Sequence, residues 1–238
     1  MEKDQIETYF LDEKPRPLFL IFPGGAYSFT SWREGGPIAR KYNEIGMHAA
    51  VCKYRNEKLV YPDLVDNIEQ MEKPLFNDPR VTKVFVVGFS AGGHLALQMM
   101  TRHPEKYSGG ILCYPVVMTQ GEYCHQESIS NLLGSNYSQE SVKAINVIDH
   151  ITKDMPPLFV WHTEDDDTVP VENSLRLLKK AKEIGVKMEL HIFPEGVHGL
   201  ALATEETPFF GEDPEIFAKK NKHVATWFNL MKEWLKTI

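Results

Sequence analysis

Val84-Phe85-Val86-Val87-Gly88-Phe89-Ser90-Ala91-Gly92-Gly93-His94-Leu95-Ala96-Leu97 decides the reading of this chain. Four β-favouring apolar residues lead into G-x-S-x-G, and a helix-forming run follows at once. A serine on a strand-to-helix turn takes strained backbone angles, so its near neighbours must be small; Gly88 and Gly92 meet that need. The helix start leaves the N–H of Ala91 free for a developing oxyanion. The motif alone arises by chance in a few per cent of chains of this size, and its context gives it weight; the bland alternative is a glycine-rich turn with an incidental serine.

Outward from this turn, short apolar runs alternate with helix-length segments. Strands are expected at Leu18–Phe22, Met47–Cys52, Val84–Val87, Gly109–Cys113, Leu158–His162 and Lys187–Phe193. Helices are expected near Gly36–Ile45, after Pro62, over Ala91–Thr101, over Val171–Ile184 and over Lys220–Lys236. Residues 116–150 lack a strong period and read as an insertion over the sheet edge with short helices at most. Such alternation predicts a mostly parallel twisted sheet covered by helices on both faces, with ligands at the strands' carboxyl ends. Without a repeat or linker, residues 1–238 read as one domain.

A serine hydroxyl needs a general base. Among nine histidines, His198 lies in the Pro194–Gly199 loop leaving the last strand, where Gly196 and Gly199 let the chain turn back over the sheet. His94 is expected to pack beneath the serine, His162 ends a strand as a second-tier candidate, and His191 and His223 read as structural. The orienting carboxylate is sought in Glu164-Asp165-Asp166-Asp167. Four adjacent acids cannot all be buried, and Asp166, in D-x-x-V-P, is preferred over Asp165 and Asp167. A solvated acidic turn is the alternative, and the spaced ligands and glycine of a calcium loop are absent. Pro23-Gly24-Gly25-Ala26-Tyr27 follows the first strong strand, and the N–H of Gly25 or Ala26 together with that of Ala91 are the expected oxyanion donors.

The chain has 238 residues, a net charge of −7, 42% hydrophobic and 25% charged residues. This acidic balance argues against a nucleic-acid or anionic-membrane surface. Cys52, Cys113 and Cys124 are an odd set without C-x-x-C spacing, so a disulfide framework is not expected. Met1-Glu2-Lys3-Asp4-Gln5 carries no apolar leader and no run approaches membrane-span length, so a cytoplasmic location is expected.

Pro23–Tyr27, Arg33-Glu34, Tyr54-Arg55, the Gly88–Gly93 turn, Tyr114-Pro115, Trp161-His162-Thr163, Val169-Pro170-Val171 and Gly196–Gly199 occur in that order. Over roughly Pro17 to Gly199 the chain resembles bacterial α/β-hydrolase esterases related to acetyl-xylan esterases and to hormone-sensitive-lipase-like carboxylesterases, some of whose members are labelled xylanases or lipases. The resemblance implies the α/β-hydrolase fold, Ser90 as nucleophile, Asp166 as orienter, His198 as base and the Gly25 region with Ala91 as oxyanion donors. It also implies short acyl esters, including acetylated sugars, as substrates. No cofactor or metal is implied. Only some 16 residues precede the first strong strand, so the N-terminal strands are expected to be reduced and a large N-terminal cap absent. Tyr27, Arg33 and Glu34 are candidate substrate contacts; they, with Trp32 and Arg55, either line the pocket or brace loops. A homodimer is compatible with the sequence. The rivals are a prolyl-oligopeptidase-like peptidase, normally carrying a further propeller or gating domain, and a non-catalytic ligand-binding member of the fold.

Overall fold

A computed structural model describes residues 3–238; Met1 and Glu2, part of the segment read above for a leader, lie outside the described residues. Seven strands form one sheet in the order β1-β3-β2-β4-β5-β6-β7. These are β1 (Gln5–Tyr9), β2 (Arg16–Phe22), β3 (His48–Lys53), β4 (Val81–Phe89), β5 (Gly109–Cys113), β6 (Leu158–Thr163) and β7 (Met188–Phe193). β2 to β7 run parallel, and β1 pairs antiparallel with β3, Gln5 opposite Lys53 and Tyr9 opposite Ala49.

Alternation along the strands builds two cores. Leu18, Leu20 and Phe22 face one layer, with α2 (Asp63–Phe76), α3 (Ala91–Arg102) and α7 (Glu172–Ile184). Phe19 and Ile21 face the other, with α1 (Gly36–Glu44), α8 (Pro214–Asn221) and α9 (Trp227–Leu235). Each buried Leu, Ile or Phe contributes about 1.5–3 kcal/mol. A one-residue slip of β2 would exchange the residues of both layers, so its register is strongly held. The carboxyl ends of the parallel strands consequently lie along one rim, and the segments that follow them carry the candidate site.

Three expectations are corrected. First, β1 precedes the first apolar run; as a half-exposed edge strand it needs backbone pairing rather than a continuous apolar face, and Gln5-Ile6-Glu7-Thr8-Tyr9 shows none. Second, residues 116–150 are more than a weakly structured insertion over the sheet edge. They contain α4 (Gln126–Leu133), α5 (Gln139–Ala144) and α6 (Val147–His150). Ile129, Leu132, Val142, Ile145 and Val147 join the core layer of α3. Asn173 of α7 ties the segment down, its Oδ1 accepting the N–H groups of Val117 and Met118 at 2.9 and 2.8 Å.

Third, the single C-terminal helix is two. Asp213 caps α8, accepting the N–H of Ile216 at 3.0 Å with Pro214 at the first turn. A 3-10 turn over Val224–Thr226 then resets the phase. That places Trp227 against Trp161, centroids 5.5 Å apart, with its indole N–H on the carbonyl of Ala201 at 3.0 Å. Among the described residues no helix is long and apolar enough to cross a membrane.

Candidate active site

Ser90 stands between β4 and α3 with φ 53° and ψ −121°, and it is 7% exposed. The turn is this tight because the flanking glycines leave no room for side chains. A Cβ on Gly88 would lie 2.5 Å from the carbonyl oxygen of Gly92, and one on Gly92 would lie 2.0 Å from that of Phe22. The strained serine is held by the bond from its N–H to the carbonyl of Cys113 at 3.0 Å and by the N–H of Val116, which donates to its carbonyl at 3.1 Å.

Asp166 lies in the turn after β6 and His198 in the loop after β7. The imidazole Nδ1 is 2.7 Å from Asp166 Oδ2, and Nε2 is 2.8 Å from Ser90 Oγ. An ionised carboxylate only accepts, so Nδ1–H donates to Asp166 and Nε2 is left to accept the serine proton. Asp166 Oδ1 accepts the N–H groups of Thr168 and Val169 at 3.0 and 2.9 Å. Burial pushes this carboxyl up, but hydrogen bonds from His162 and His198, the charge of His198 and the Val169 N–H outweigh it and hold the group well below the usual carboxylate range.

Its neighbours take other tasks. Asp165 Oδ1 accepts the N–H of Gly196 at 2.7 Å, Thr163 Oγ1 donates to the carbonyl of Gly196 at 2.6 Å, and Asp167 Oδ1 accepts the hydroxyl of Thr168 at 3.2 Å. The acidic turn thus anchors the histidine loop while presenting one carboxylate inward.

The loop after β2 turns through Gly25, Ala26 and Tyr27 at φ 123°, 51° and 57°. Among the described residues the N–H groups of Gly25, Ala26 and Ala91 find no protein acceptor. Asn131 of α4 steadies this loop, donating to the carbonyl of Ala26 at 2.9 Å.

Tyr27, Arg33 and Glu34 are internal, and of the two roles left open for them, pocket wall or loop brace, their contacts are those of a brace. Tyr27 is 1% exposed and donates to His94 Nδ1 at 2.8 Å; His94 Nε2–H in turn donates to the carbonyl of Ile145 at 2.8 Å. His94 thus braces the loop after β2 and the 116–150 segment together. Arg33 donates to the carbonyls of Gly199, Thr207 and Pro208 and stacks on Phe209 at 4.0 Å. Glu34, 4% exposed, accepts the N–H of Gly24 at 2.8 Å and the hydroxyl of Tyr114 at 2.6 Å. Burial pushes the Glu34 carboxyl up, opposed by those two bonds. Arg33 clips the loop after β2 to the segment after β7, and Glu34 ties the same loop to Tyr114, directly after β5.

His162 is fully buried between Ser174 Oγ (2.7 Å) and the carbonyl of Val169 (2.8 Å), with Nε2 also 3.4 Å from Asp166 Oδ2. It supports the Asp166 turn from behind.

Sequence reasoning gave no role to Tyr114 or His125. The Tyr114 ring meets His198 edge-on, centroids 4.9 Å apart, while its hydroxyl accepts the N–H of Ala201 at 3.0 Å. Its place directly after β5, on the site rim, was the available signal. His125, from the 116–150 segment, is held below the usual histidine range by burial first and then by the charge of His198. No local pattern marks it.

A seven-stranded sheet with a serine elbow after a central strand, and with acid and imidazole loops after β6 and β7, defines an α/β hydrolase. Within that class the chain belongs to the prolyl oligopeptidase family, which matches residues 47–235. It is similar to the crystal structure of an acetyl ester-xyloside bifunctional hydrolase from Caldicellulosiruptor lactoaceticus: TM-score 0.84 at 31% identity, covering 99% of this chain and 88% of that one. An endo-1,4-beta-xylanase B of Butyrivibrio fibrisolvens is 30% identical over 82% of this chain and 34% of its own. An acetylxylan esterase of Xylanibacter ruminicola is 29% identical over 82% of this chain and 43% of its own. The chain therefore spans less than half the length of these two curated relatives. The family's name is that of the peptidase rival, whereas these relatives are named for ester and xylan activities, so membership alone does not choose between them.

Proposed function

We propose that this chain is a serine carboxylic-ester hydrolase that removes acetyl or other short acyl groups, with acetylated sugars as its substrate class. The carrying observation is the continuous line from Ser90 Oγ through His198 to Asp166, with contacts of 2.8 and 2.7 Å. Ser90 attacks the ester carbonyl while His198 Nε2 takes its proton. The oxyanion is held by the N–H groups of Ala91 and of Gly25 or Ala26, fixed before reaction by the elbow and by the Asn131 contact. The alcohol departs with the proton from His198, and water repeats the sequence on the acyl-enzyme. Asp166 keeps the imidazole in the productive tautomer and stabilises its charged form. The relatives named for acetyl esters and xylan support the sugar side of the reading.

The test is Ser90→Ala against a panel of 4-nitrophenyl esters, acetylated sugars and a dipeptide amide. Turnover by the wild type should be fastest on short acyl esters and abolished in the variant. Unchanged activity in the variant refutes the nucleophile. A wild type that prefers the dipeptide amide replaces the esterase reading with the peptidase one, and faster hydrolysis of long-chain esters removes the short-acyl preference.

A further inference from the structure

Arg55, just past β3, is 8% exposed, yet its guanidinium is poorly matched. Among the described residues its only hydrogen-bond acceptor is the carbonyl of Leu59, against five N–H donors, and Nε has no partner. Burial pushes this guanidinium below the ordinary arginine range, with Asp4 among the groups that partly oppose the shift. The Asp4 carboxylate is engaged elsewhere, its Oδ1 accepting the N–H groups of Asn56 and Glu57 at 2.7 and 3.0 Å. A buried cation without an adjacent anion is costly, and an external anion would relieve it.

Space for one exists. Arg55 lines a cavity of about 580 Å³ together with Lys58, Ser130, Asn131, Ser135 and Tyr137. Among the described residues no carboxylate lines it, so two basic side chains border one cavity in a chain of net charge −7. The cavity also adjoins the proposed chemistry, because Asn131 is the residue whose amide holds the carbonyl of Ala26 in the oxyanion loop.

We propose that this cavity is a subsite for a carboxylate carried by the ester substrate, bound by Arg55 and Lys58 with the neutral donors around them. The inference rests on the ester-hydrolase reading and adds an acidic substrate class to it. The carboxylate can belong to the acyl group or to the alcohol, and the experiment separates the two.

Two matched pairs are compared by kcat/KM at low ionic strength: 4-nitrophenyl pentanoate against the mono-4-nitrophenyl ester of glutaric acid, and acetylated methyl glucoside against acetylated methyl glucuronide. In one pair the acidic member should be preferred about tenfold or more, as charge-assisted hydrogen bonds give. Lys58→Gln and Arg55→Met should each bring that ratio toward one, and added salt should lower it. The ratio is taken within one protein sample, so a loss of folded Arg55→Met cancels, and Lys58→Gln alters an exposed side chain. Neutral esters hydrolysed with no preference for either acidic partner overturn the subsite alone. A wild type that hydrolyses no ester overturns the parent reading, and the subsite falls with it.

Discussion

Replacing Asp166 by asparagine keeps the shape of the side chain and reverses one of its faces. Oδ1 accepts two main-chain N–H groups, from Thr168 and Val169, whereas Oδ2 meets the single Nδ1 of His198. An amide has one accepting oxygen. Two N–H donors bias that oxygen toward Thr168 and Val169, so the NH2 group is turned toward His198. Facing a donor, Nδ1 must become the acceptor and the ring proton moves to Nε2. In that tautomer Nε2 points a hydrogen at Ser90 and cannot take its proton. The expected fall in kcat is about 10³–10⁴-fold, or roughly 4–5.5 kcal/mol on the barrier, with KM little changed. Steady-state hydrolysis of 4-nitrophenyl acetate by Asp166→Asn, with circular dichroism to show an intact fold, measures it. A variant retaining kcat within tenfold of the wild type would refute the tautomer argument and with it the role of Asp166.

Two further outcomes follow from buried positions. Burial lowers His94 from 6.5 to about 4, opposed by the bond to the Ile145 carbonyl. The unfolded chain therefore binds this proton before the folded one does, and the contribution of His94 to stability is complete above pH 6.5 and lost as pH falls through about 4. The loss amounts to about 3 kcal/mol, so urea unfolding of His94→Gln should fall correspondingly less across that window than the wild type; parallel curves contradict the assignment. Gly92→Ala would put its Cβ 2.0 Å from the Phe22 carbonyl oxygen and 2.5 Å from that of Pro23, both main-chain atoms at the end of β2. It should destabilise the fold by about 3 kcal/mol or more and displace the loop after β2. A melting temperature and turnover equal to wild type would show that the contact relaxes freely.

Local sequence determined the order of strands β2 to β7 and of helices α1, α2, α3 and α7, because apolar periodicity and glycine placement are short-range properties. The runs around Leu18–Phe22, Val84–Val87 and Leu158–His162 announce buried parallel strands, and Gly88-Phe89-Ser90-Ala91-Gly92 announces a turn only small neighbours allow. It also brought forward Ser90 and His198 as candidates, since each residue type sits in a loop just beyond a strand. Sequence preferred Asp166 without excluding Asp165 or Asp167 as the partner of the imidazole. Tertiary structure settled that contact by turning Asp166 inward and tying Asp165 to Gly196. It alone revealed β1, whose pairing partner lies more than forty residues away, as Gln5 opposite Lys53 shows. It likewise made Arg33 and Glu34 clamps between loops instead of pocket walls, through carbonyls and a hydroxyl far along the chain. A polar side chain's role depends on which donors and acceptors it meets once water is excluded. Those partners come from distant segments, so no local pattern encodes them.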